Sequence, residues 1–124
     1  MKGNKTNLFR LIAFWAATAI ILTETAVGAG WDLFRISFVL NIMQELGYPA
    51  YFLLILGVWK VLAVIALVPP GLGRAKEWAY AGLFFTYAGA SVSHLAMQDT
   101  GKAWGPLIFA ALTLLSWALR PASR

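Results

Sequence analysis

Four apolar stretches dominate the chain, at 11–29, 50–68, 78–97 and 103–119. Each approaches the ~20 residues that a membrane-crossing helix needs. The breaks between them are well marked. "VPPGLG" (68–73) closes the second stretch with two prolines and two glycines, and "QDTGK" (98–102) is a short polar turn before the fourth. The segment between the first two stretches, "WDLFRISFVLNIMQEL" (31–46), has a different pattern. Leu33, Ile36, Leu40 and Met43 recur at helical spacing, with Asp32, Arg35, Asn41, Gln44 and Glu45 around them. Too polar to span, it predicts an amphipathic helix over about 32–46 lying in the membrane interface. The expectation is an all-α, polytopic membrane protein: one domain over 1–124, folded as a four-helix transmembrane bundle.

Composition strengthens that reading and fixes a direction. Of 124 residues, 60% are hydrophobic and 12% charged, about half the charge of an average soluble domain. Lys2, Lys5, Arg10, Arg74, Lys76, Arg120 and Arg124 fall on one side of the expected bundle, whereas Arg35 and Lys102 fall on the other. The positive-inside rule therefore puts both termini in the cytoplasm. Trp31, Tyr48, Tyr51 and Trp104 would mark the outer interface, and Trp78, Tyr80 and Trp117 the inner one. A cleavable signal peptide ending near "AVGA" (26–29) is the competing reading, opposed by the long apolar stretch and by Glu24. The net charge of +5 lies mainly in tails and one loop, which argues against nucleic acid as a partner. With no cysteine and a single histidine, the chain excludes thiol chemistry and, within one protomer, bis-histidine haem or a His-rich metal site.

The candidate chemistry lies in charges inside apolar stretches. Lys60 sits near the middle of the second, where insertion costs roughly 2.5–3.5 kcal/mol and a partner is expected. Glu24 lies about 6 Å outward of the middle of the first stretch, and His94 about 9 Å outward of the middle of the third. A lysine side chain can climb to that level, so a Glu24–Lys60–His94 cluster is the expected polar site and candidate ligand-binding site. The small residues Gly82, Thr86, Gly89 and Ser93 predict a face for close helix approach. Packing roles for each of the three ionisable residues, including a purely structural Glu–Lys lock, compete with a functional one.

"LGYPAYFLLILGVWKVLAVIALVP" (46–69) followed by "KEWAYAGLFFTYAGASVSH" (76–94) resembles the DoxX-like family of small bacterial membrane proteins. The motif positions are Gly47, Tyr48 and Pro49, then Gly57, Trp59 and Lys60, then Glu77, Trp78, Tyr80, Ser93 and His94. The resemblance implies a four-helix membrane bundle associated with membrane redox systems, without a defined activity for this branch. It implies an accessory subunit rather than a stand-alone enzyme, a soluble oxidoreductase as partner, and a quinone as ligand, although the chain encodes no cofactor motif. A small transporter or proton-linked carrier, monomeric or homo-oligomeric, and a structural or lipid-facing protein are the alternatives.

Overall fold

The computed structural model describes the backbone of residues 2–124 and the side chains from residue 5 onward. The side chain of Lys2, counted above among the basic residues, therefore lies outside the described residues. The fold is all-α: α1 (Lys2–Leu33), α2 (Ser37–Leu46), α3 (Phe52–Leu67), α4 (Gly73–Ala96) and α5 (Thr100–Leu119). α1 packs on α3 and α5, and α4 packs on the same two, so the four long helices close into a ring. Gly28 lies by Lys60 and Leu33 by Gly57, Lys76 meets Leu67, Glu77 meets Arg120 and Ser91 Ala103, and Thr18 meets Ser116 and Trp15 Arg124, so each neighbour in that ring runs antiparallel. α2 is the short outlier, packed on α3.

A seven-residue rhythm explains why α1 takes this place. Its buried positions are Phe14, Ala17, Thr18, Ile21, Thr25, Gly28, Ala29 and Asp32, a seam at the three-and-four spacing of long packed helices. Thr18, Thr25 and Asp32 stand seven apart on it, each meeting a polar partner. Thr18 shares a 2.6 Å hydrogen bond with Ser116, which shares another of 2.8 Å with Tyr80. Thr25 shares one of 2.7 Å with Tyr87. Around these polar layers pack Ile21, Ala63, Leu67, Leu83 and Ala110. Buried hydroxyls are thus satisfied pairwise, as a low-dielectric interior requires.

The outer surface is apolar to a degree that water would not tolerate. Phe9, Trp59, Ile65, Phe85, Val92 and Trp104 are all more than half exposed, and contiguous patches of this kind mark a membrane or partner surface. Among the described residues two helices are long and apolar enough to cross a bilayer, α1 over Lys5–Leu33 and α5 over Thr100–Leu119. α3, expected over 50–68, is a shorter apolar helix of 16 residues.

Two sequence expectations are corrected. The interfacial helix begins at Ser37 rather than 32, because α1 continues through Asp32 to Leu33. α1 ends in a left-handed residue, Arg35 (φ 48°), with Arg35 N–H donating to the Asp32 carbonyl and Ile36 N–H to that of Trp31. That geometry normally recruits glycine, so the sequence carries no visible stop there. The second correction concerns Tyr80, which is not at the inner interface but buried within the bundle against Ser116.

Candidate functional site

Lys60 donates a 2.8 Å hydrogen bond to Asp32 Oδ2, in an ion pair whose side chains are 16% and 4% exposed. Two glycines allow this contact. A Cβ on Gly57 would fall 2.7 Å from Leu33 Cγ and 3.2 Å from the Leu33 backbone nitrogen. Only glycine lets α3 approach the end of α1 this closely, and Asp32 is thereby brought opposite Lys60, one turn beyond Gly57. A Cβ on Gly28 would lie 3.1 Å from Lys60 Nζ, so the ammonium rests on bare α1 backbone.

Lys60 also borders a groove of 370 Å³ between α3 and α4. Trp59 and Trp78 stand at its sides, more than half exposed, and Ala63, Ala66, Ala79 and Gly82 keep its floor low. Thr86 lines the groove too, its hydroxyl donating back to the Gly82 carbonyl at 2.7 Å. The result is an apolar trough walled by two indoles with a cation beside it. Its volume lies within the range of small-molecule sites, about 300–1,000 Å³.

The other two residues of the expected cluster are not bonded to this pair among the described residues. Glu24 is exposed on α1, because it precedes Thr25 by one residue and so points about 100° away from the buried seam. His94 is buried in α4 on the stripe Tyr80–Tyr87–His94, again seven apart. Its carbonyl accepts from Asp99 N–H at the helix end. Among the described residues no hydrogen bond or ion pair joins Glu24 or His94 to Lys60. The small-residue face is also not a helix contact. Added Cβ atoms on Gly82 and Gly89 meet nothing within 4 Å, and Gly82 opens onto the groove instead.

The remaining motif positions have structural roles. Gly47 ends α2 at φ 81°, and Pro49 follows it, where its carbonyl accepts from Phe52 N–H at the start of α3. Tyr48 stacks on Phe52 and shares a 2.7 Å hydrogen bond with Ser93, fastening the α2–α3 turn to α4. Glu77 accepts from Trp117 Nε1 at 2.9 Å and from Arg120 at 2.8 Å, closing the opposite end. Residues far apart in sequence therefore meet at both ends of the ring, and Trp59, Lys60 and Trp78 border the groove while Gly57 sets the approach of α3 to α1.

A family model, the DoxX-like family, matches residues 12–116. The chain belongs to the DoxX-like family. No curated protein and no solved structure matches it. Membership, the two crossing-length helices and the apolar exterior together indicate a lipid bilayer environment for this DoxX-like chain. The match begins within α1 and ends within α5, so the ion pair and the whole groove lie inside it.

Asp32 is the site residue that sequence reasoning assigned elsewhere. Hydropathy placed it on the interfacial helix. The seven-residue spacing Thr18, Thr25, Asp32 was the signal for its place on the α1 seam.

Proposed function

We propose that this DoxX-like protein crosses the bacterial cytoplasmic membrane four times, through α1, α3, α4 and α5, with both termini in the cytoplasm. In that frame it is a non-catalytic component of a membrane redox assembly and holds an apolar, carbonyl-bearing ligand such as a quinone in the α3–α4 groove. The observation that carries this reading is Lys60 beside a trough walled by Trp59 and Trp78. A lysine ammonium has three donor hydrogens, and Asp32 takes one of them. Another is available to a quinone carbonyl, and such a bond gains strength where water is scarce. The indoles supply flat apolar contact for the ring. Electrons would come from a soluble oxidoreductase partner.

Four crossings are supported by the antiparallel ring, which puts the two ends rich in Lys and Arg together. α3 is about 24 Å long at 1.5 Å per residue, short of a ~30 Å hydrocarbon core. Local thinning of the bilayer accommodates a mismatch of that size. Reporter fusions after Arg124 and within 69–73 should both read cytoplasmic, and a periplasmic signal from either contradicts the topology.

Protein purified in mild detergent from native membranes should yield a quinone on solvent extraction, identified by its absorbance change on borohydride reduction. Stoichiometry close to one per chain supports the reading, and a trace equal to that in an unrelated membrane protein argues against it. The Asp32–Lys60 pair also favours a second reading, a bundle lock without a ligand, and under that reading the extract contains no quinone.

A further inference from the structure

The opposite end of the ring carries a second feature, at the side where α3 and α5 end and α4 begins. A pocket of 250 Å³ is lined by Gly71, Gly73, Arg120, Pro121, Ala122 and Arg124. Arg120 Nη2 is occupied by Glu77 and Arg124 Nη2 by the Val68 carbonyl. Arg120 Nη1 and Arg124 Nε are buried without a hydrogen-bond acceptor among the described residues. Lys76, only 2% exposed, stands behind them and donates to the Leu67 carbonyl at 3.3 Å. Three cations thus converge on one end, where the Glu77 carboxylate is already shared between Arg120 and Trp117.

Unmet guanidinium donors and uncompensated charge beside a polar pocket call for an anion with several acceptor oxygens. Phosphate has the geometry that two guanidinium groups recognise. Arg124 also lies 4.9 Å over the ring of Trp15, which is itself half exposed on the apolar flank of α1. An acyl chain descending from the pocket would run along that flank. We propose that this pocket binds a phosphate group, supplied in the membrane by the headgroup of an anionic phospholipid. Phosphate binding depends only on the pocket. The lipid as its source rests on the membrane reading above, and neither depends on the quinone groove.

The test is native mass spectrometry of the full chain in detergent, challenged with equal amounts of phosphatidylglycerol and phosphatidylcholine. A parallel titration uses inorganic phosphate. Wild type should retain phosphatidylglycerol preferentially, and Arg124→Gln should weaken that retention about tenfold, the effect of one lost charge-assisted bond. Arg120→Gln should do the same, but it also frees Glu77, so Arg124→Gln is the decisive variant. Arg74→Gln, which removes a charge outside the pocket lining, should leave retention unchanged. Inorganic phosphate binding without preference between the lipids would overturn the lipid assignment and keep the phosphate site. Equal retention by wild type and Arg124→Gln, or no binding of either probe, overturns the proposal.

Discussion

Lys60→Met should destabilise the detergent-solubilised protein by about 3–5 kcal/mol, the range for breaking a buried ion pair from one side. The effect comes from Asp32, which is left 3% exposed with no counter-charge. Removing both charges is a different operation. Asp32→Leu combined with Lys60→Met replaces the pair with apolar groups of similar bulk and should recover most of the loss, since such replacements are often neutral. A double-mutant cycle by thermal or denaturant unfolding should therefore give strong coupling between positions 32 and 60. The same cycle with Glu24→Gln should be additive, because Glu24 is exposed and shares no hydrogen bond or ion pair with Lys60 among the described residues. Coupling of Lys60 to Glu24 instead would overturn the placement of Asp32.

Gly57→Val should be nearly as damaging, at about 3 kcal/mol, the upper part of the range for overpacking. Its first added carbon meets Leu33 side-chain carbons at 2.7 and 2.8 Å, and the Leu33 backbone at 3.2 Å. The side chain can turn aside only in part, and the backbone only by moving the end of α1. That movement draws Asp32 away from Lys60, so the steric loss carries an electrostatic one with it. Gly89→Ala is the control, since its Cβ meets nothing within 4 Å. Better helix propensity should make it stabilising by up to about 1 kcal/mol. Unfolding midpoints of the two variants, measured side by side, decide the matter. A neutral Gly57→Val would mean that the helices do not approach as closely as the structure has them.

The long helices were legible because their ends carry ordinary punctuation: the proline pair at 69–70 and the polar turn at 98–102. The end of α1 was not legible, for the opposite reason. Arg35 holds a left-handed conformation that sequence patterns associate with glycine, so the run through Trp31, Asp32 and Leu33 read as the start of the next element. The charge in the second apolar stretch was correctly taken to need a partner, but an acidic residue at the right depth was preferred over one on the right face. Glu24 and Thr25 differ by one position and by about 100° of helix rotation, and hydropathy cannot distinguish them. The seven-residue series Thr18–Thr25–Asp32 and Tyr80–Tyr87–His94 can. In α4 the small residues suggested a contact face, yet the bulky polar series forms the buried one, because its hydroxyls find partners on α1 and α5. The groove was legible only as neighbouring residues, Trp59 beside Lys60. Its second wall, Trp78, depends on how α4 packs against α3.

The central claim is that Lys60, held by Asp32, presents a donor to a ligand in the α3–α4 groove. Titration of a short-chain ubiquinone analogue into purified protein, followed by quenching of tryptophan fluorescence, tests it most directly. Wild type and Glu24→Gln should show the same saturable binding. The Asp32→Leu/Lys60→Met double variant, checked to be folded, should bind about tenfold more weakly through loss of a charge-assisted hydrogen bond. Equal affinity in all three proteins, or quenching that never saturates in wild type, would contradict the account.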